Sequence, residues 1–294
     1  MDSSAADGAG APVVAGVDDS ASAHAALQWA AREAALHGAP LVLIHAAPPP
    51  VGTWPMASAP TGVVEWQRHR AGEILREAVR VVADLTAGSV DVRTEFAVDA
   101  PAAALIEASR TARIVVVGSR GRGALARTVL GSVSTAVAHR AHGAVAVVHS
   151  AVAAATDAPV VLGFDDSPAS HAATDTGFTE AAARGVTLVA LHAFWSPGAF
   201  ELPGFDFEEM RAGVERELAG ALAPWRERFP QVVVEPLVVP DRPAHRLVER
   251  AESAQLLVVG SHGQGGAVTG ALLGSVSGAV VQAAPVPVIV ARSG

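Results

Sequence analysis

Most of the chain is written twice. Val13-Val14-Ala15-Gly16-Val17-Asp18-Asp19-Ser20 returns 147 positions later as Val160-Val161-Leu162-Gly163-Phe164-Asp165-Asp166-Ser167, and the same offset relates Gly38 to Gly185 and His45 to His192. Val115-Val116-Val117-Gly118-Ser119-Arg120-Gly121 returns as Leu257-Val258-Val259-Gly260-Ser261-His262-Gly263, with an offset of 142 at Gly118 and Gly260. A repeat of this length is a whole domain, so the expectation is two tandem copies, residues 1–150 and 151–294, joined by a patternless stretch at 150–158.

Within a copy, strand and helix patterns alternate. The first copy reads as a strand at 12–17, a helix at 21–37 stopped by Gly38, a strand at 41–45, a helix at 63–83 and a strand at 90–98 that alternates like a half-buried one. A helix opened by Pro101, an all-apolar strand at 114–117, a helix from Ser132 to about residue 141 and a strand at 144–149 follow. Alternation of this kind specifies the α/β class: in each copy an open parallel five-stranded sheet, order 3-2-1-4-5, with helices on both faces, of the flavodoxin- and Rossmann-like kind that binds nucleotides. The first and fourth strands are then neighbours, their connections leave in opposite directions, and ligands bind beyond the carboxyl ends of the strands at that switch point. The proline-rich stretch 47–62, with Pro48, Pro49, Pro50, Pro55 and Pro60, is excluded from helix and central strand.

Two motifs meet at the switch point. After the fourth strand, Gly118 and Gly121 are expected to free the backbone for positive φ and for close approach of a ligand, and nine residues later Gly131 precedes Ser132, the expected N-cap of the next helix. A helix N-terminus presents unpaired N–H groups and positive potential, which suits phosphate, and Arg120, Arg122 and Arg127 add charge. The second copy repeats this at Gly260, Gly263, Gly274 and Ser275, but with ten residues in the spacer and with His262 and Gln264 in place of Arg120 and Arg122. After the first strand, Asp18 and Asp165 are either carboxylates for a nucleoside's hydroxyl or amine groups or, with the adjacent Asp and Ser, caps for the next helix.

Several classes are excluded. With 21 basic and 29 acidic residues the net charge is −8, so nucleic acid and anionic membranes are not expected partners. The chain has no cysteine and no lysine, which removes thiolate chemistry, a Walker lysine and a Schiff base. The start of the chain carries no signal-peptide pattern and no apolar stretch reaches membrane-spanning length, so the cytoplasm is the expected location. The histidines at 139, 142 and 149 lack metal-ligand spacing, and no metal site is expected. Gly121-x-Gly123-x-x-Ala126 fits a dinucleotide fingerprint poorly, because the next strand ends without the required acid.

These residues resemble the universal stress protein family in its tandem form. Gly118, Gly121, Gly131 and Ser132 match the family's ATP-binding pattern G-x2-G-x9-G-[ST] in full, and the resemblance runs from about residue 12 to 292. It implies an ATP-binding regulatory or stress-response protein without strong catalysis or catalytic residues; a slow ATPase or ATP-dependent transferase is the alternative. It implies that Gly16, Val17 and Asp18 serve the nucleoside, that Ala46 lies near the base, and that Gly118, Ser119, Arg120, Gly121, Arg122, Gly123 and Ala124, with Gly131, Ser132 and Val133, hold ribose and phosphates. In the second copy the implied set is Gly163, Phe164, Asp165 and Ala193, then Gly260, Ser261, His262, Gly263, Gln264, Gly265 and Gly266, and Gly274, Ser275 and Val276. Mg²⁺ on the phosphates, a homodimer formed through terminal strands and an unidentified protein partner at 47–62 or 194–207 complete these expectations.

Overall fold

The structure is a computed structural model that describes residues 10–49, 62–121, 130–149, 155–194, 207–240, 242–263 and 273–292. The chain divides into two compact units, Met1–Ala151 and Val152–Gly294.

In the first unit the strands are β1 (Val13–Gly16), β2 (Leu41–Ala46), β3 (Val92–Ala97), β4 (Ile114–Gly118) and β5 (Val145–Val148). All pairs are parallel and the order is β3-β2-β1-β4-β5, as the alternating pattern predicts. The helices are α1 (Ala21–His37), α2 (Val63–Thr86), α3 (Pro101–Ala108) and α4 (Ser132–Arg140). The central strands are uniformly apolar because both faces are covered: Val13, Ala15, Val115, Val116 and Val145 are fully buried.

β3 departs from the expected half-buried alternation. It is shorter than the run 90–98, and Arg93, Thr94 and Glu95 are all exposed. β3 pairs only with β2 within its unit, and charge on such an outer strand discourages further pairing.

The second unit repeats the plan. β6 (Val160–Gly163), β7 (Leu188–Phe194), β8 (Val234–Pro240), β9 (Leu256–Gly260) and β10 (Val288–Ala291) pair in parallel in the order β8-β7-β6-β9-β10. Its helices are α5 (Pro168–Arg184), α6 (Phe207–Ala221), α7 (Ala223–Arg228), α8 (Pro243–Ala251) and α9 (Ser275–Ala283).

Helix ends follow local chemistry. Gly38 (φ 60°) and Gly185 (φ 66°) end α1 and α5 in the left-handed conformation that glycine adopts without strain. At the other ends, Ser20 Oγ accepts from Ala23 N–H at 3.1 Å and Ser167 Oγ from Ser170 N–H at 3.2 Å. Ser20→Ala is therefore expected to cost about 1 kcal/mol, read from urea unfolding.

Candidate functional site

A cavity of about 330 Å³ opens at the carboxyl ends of β1 and β4 in the first unit. One wall is the turn after β1. Asp18 Oδ1 accepts from Ser20 N–H at 2.8 Å, while Oδ2 faces the opposite loop, 3.5 Å from where a methyl group on Gly121 would sit. Ser20 thus caps α1, and Asp18 braces Ser20 while lining the cavity. Asp19 turns away and pairs with Arg70 of α2 at 2.5 Å. Arg70 also donates to Glu73 at 2.9 Å, and this hydrogen bond holds the Glu73 carboxyl below its usual range. The pair is solvent-exposed, so it contributes little to stability.

His45 sits near the end of β2. It lies 8% exposed, and its Nδ1 is 2.7 Å from the Val17 carbonyl. A carbonyl only accepts, so Nδ1 carries the proton and the ring fixes the residue preceding Asp18. The ring stacks on Phe96 with centroids 6.3 Å apart.

The opposite wall is the glycine loop and the first turn of α4. Gly131 N–H donates to Ser119 O at 2.8 Å, and Ser134 Oγ donates to the same carbonyl at 2.9 Å, which folds the loop back on the helix start. Ser22 Oγ donates to Arg120 O and ties the loop to α1. Two expectations need correction here. Gly118 and Gly121 do not have positive φ. Gly118 is required because a methyl group there would lie 2.5 Å from Ser22 C and 2.7 Å from Ala23 N, so its close approach is to α1 rather than to a ligand. Nor does Ser132 cap α4: Gly131 occupies the N-cap position (φ −68°, ψ 161°), and no side chain caps the helix. The first turn, Ser132 to Ser134, lines the cavity. Its N–H groups lack an intrahelical partner by the geometry of any helix start.

The second unit has a corresponding cavity of about 360 Å³, lined among others by Gly163, Phe164, Asp165, Ala193, Gly260 and His262, with Gly263 and Gly274 to Val276 closing it. His192 Nδ1 sits 2.9 Å from Phe164 O, repeating the His45 contact. Gly274 is likewise an N-cap without a side-chain hydrogen bond. Asp165 Oδ1 accepts from Ser167 Oγ at 2.6 Å.

A family profile, the universal stress protein family, matches residues 11–149 and 158–292. The chain belongs to this family. A universal stress protein of Mycobacterium tuberculosis is 46% identical over 285 residues, covering 95% of this chain and 96% of the relative. One from Mycolicibacterium smegmatis is 47% identical over 284 residues, with the same coverage. The crystal structure of a universal stress protein from Archaeoglobus fulgidus shares the fold, with a TM-score of 0.69 at 19% identity, covering 96% of this chain and 98% of that one.

In this universal stress protein most of the sequence-predicted residues come together. Gly16, Val17, Asp18 and Ala46 line the first cavity with Gly118, Arg120 and Gly121, and Gly131, Ser132 and Val133 complete it. Ser119 and Ser261 do not line either cavity. Each donates its N–H to the neighbouring strand end, Ser119 to Val148 O at 2.8 Å and Ser261 to Ala291 O at 3.0 Å. Arg122, Gly123, Ala124, Gln264, Gly265 and Gly266 lie outside the described residues, as do most of the loops at 47–62 and 194–207. Of the described part of the first loop, Ala47 and Pro48 line the cavity.

Sequence reasoning missed the apolar side of each cavity. Pro101 and Leu105 of α3 line the first, and Pro243 and Leu247 of α8 line the second. A methyl group on Gly16 would lie 2.8 Å from Leu105 Cδ1, so α3 packs directly on the end of β1. The signal was available: a proline with a leucine four residues later recurs at the offset of 142.

Among the described residues no helix is long and apolar enough to cross a membrane.

Proposed function

We propose that this universal stress protein binds adenine nucleotide at its strand-end cavities, ATP at the first of them, and acts as a regulatory protein whose partners respond to the bound state. One observation carries this reading: an uncapped helix start and a glycine loop form one wall of a cavity whose other wall presents a single carboxylate. The helix start suits phosphate oxygens, and Asp18 suits hydroxyl or amine donors of a nucleoside. The apolar surface of Pro48, Pro101 and Leu105 suits the face of a base. At about 330 Å³ the cavity lies within the range of small-molecule sites. The residues thus fit a nucleotide. Mg²⁺, when carried on the phosphates, would need few protein ligands, because it keeps several waters and takes its oxygens largely from phosphate.

The cavity chemistry favours holding ATP over turning it over. Among the described residues that line the first cavity, the histidine Nδ1 is already occupied by Val17 O, and the one carboxylate has Oδ1 bonded to Ser20 and Oδ2 left for the nucleoside. Equilibrium dialysis with ATP followed by analysis of the retained nucleotide tests the reading. Bound, intact ATP is expected. ADP release faster than about one turnover per minute, still far below ordinary enzyme rates, would favour the slow ATPase instead. No retention of adenine nucleotide would overturn the proposal.

A further inference from the structure

We propose that the two cavities select ligands by charge: the first takes the nucleoside triphosphate, and the second takes a nucleoside or nucleoside monophosphate in preference to the triphosphate. This rests on the reading of both cavities as adenine-nucleotide sites.

The nucleoside halves of the cavities match. Pro243, Leu247 and Ala193 stand where Pro101, Leu105 and Ala46 stand in the first unit. The phosphate halves differ in charge. Arg120 lines the first cavity, and His262 takes its place in the second. His262 Nδ1 is 3.0 Å from Ser261 Oγ, so the ring engages its own loop. The sequence adds Arg122 and Arg127 between Gly121 and Gly131, and no basic residue between Gly263 and Gly274. The wider setting points the same way: residues 1–150 carry 12 arginines against 13 acids, net −1, whereas 151–294 carry 9 against 16, net −7.

The carboxylates differ as well. In the first unit a methyl group on Gly121 would be 3.5 Å from Asp18 Oδ2, an ordinary contact; in the second, a methyl group on Gly263 would overlap Asp165 Oδ2. Asp166 adopts φ 58°, a left-handed turn that Asp19 does not share. The carboxylate therefore lies closer to the glycine loop that would receive phosphate in the second unit than in the first. Both cavities carry one carboxylate, but only the first sets the Arg120 cation beside it, and at short range that difference decides preference.

Two variants isolate the cavities in the full chain. Ser132 and Ser275 are exposed at the first positions of α4 and α9, where an added carboxylate favours the helix but repels phosphate. Each substitution is made together with a tryptophan that fills the nucleoside half of the same cavity: Ser275→Asp with Ala193→Trp leaves the first cavity to be titrated, and Ser132→Asp with Ala46→Trp leaves the second. Calorimetric titration with ATP, AMP and adenosine is expected to show Ser275→Asp binding ATP about tenfold or more tighter than AMP. Ser132→Asp is expected to bind AMP or adenosine at least as tightly as ATP. Adding His262→Arg to Ser132→Asp is expected to restore some preference for ATP, more at low salt than at high salt. Equal preference for ATP in both variants overturns the inference and leaves the nucleotide reading standing; a second cavity that binds no adenine compound overturns it too and leaves that reading only for the first cavity. Failure of the wild-type chain to bind any adenine nucleotide overturns both.

Discussion

Gly118→Ala is expected to destabilise the first unit by about 3 kcal/mol, an overpacking cost with no cheap relief. The added methyl would meet Ser22 C at 2.5 Å, Ser22 O at 2.6 Å and Ala23 N at 2.7 Å, all backbone atoms of α1. Side chains can rotate away from such a clash; a helix backbone packed on a buried strand can yield only by shifting the element. Gly260→Ala meets Ala169 O at 2.7 Å and Ala169 C at 2.8 Å, and the same loss is expected in the second unit. Gly121→Ala makes the informative contrast. Its φ is not positive, and its nearest neighbour is the Asp18 carboxylate at 3.5 Å. It should leave unfolding within about 1 kcal/mol of wild type. It should weaken ATP binding, because the methyl projects between the two cavity walls. Urea unfolding of the three variants, with and without ATP, separates the cases. Equal stability of Gly118→Ala and Gly121→Ala would contradict the assignment of Gly118 to packing.

Asp18→Ala is expected to weaken adenosine, AMP and ATP binding alike, by roughly ten- to a hundredfold, the worth of a hydrogen bond to a charged group. The equal loss follows from its place on the turn after β1, whereas the helix start that suits phosphate follows β4, so its contacts are assigned to the nucleoside. The alanine also removes the acceptor for Ser20 N–H and should loosen the cap on α1. Asp18→Asn keeps an oxygen for Ser20 and should recover that stability, while losing the charge offered to the ligand. A loss confined to ATP, with adenosine unaffected, would mean that the carboxylate serves the phosphates or their metal.

The sheet order was legible because it follows from alternation and handedness, and the internal repeat supplied two readings of each element. Boundaries set by glycine in a left-handed turn, Gly38 and Gly185, were legible for the same local reason. Properties that depend on what a residue meets were not. Gly118 looks like a flexible loop glycine in sequence, yet the helix that forbids its side chain lies about a hundred residues earlier in the chain. Ser132 carries the right hydroxyl for a cap but sits one position inside the helix, and Gly131 takes the boundary. The bond from His45 to Val17 O joins neighbouring strands, and no spacing rule announces it. The apolar wall from Pro101 and Leu105 was missed because attention to polar motifs passes over prolines and leucines. β3 was read as half-buried because alternation alone does not reveal an outer position in the sheet.

The central claim is that the backbone of the glycine loop and of the first turn of α4 holds phosphate while Asp18 holds the nucleoside. A crystal structure with a non-hydrolysable ATP analogue tests it most directly. The account predicts phosphate oxygens about 2.9 Å from N–H groups among Gly121, Ser132 and Val133, with a sugar or base donor at Asp18. Phosphates bound away from that helix start, or a cavity without nucleotide at a saturating concentration, would contradict it.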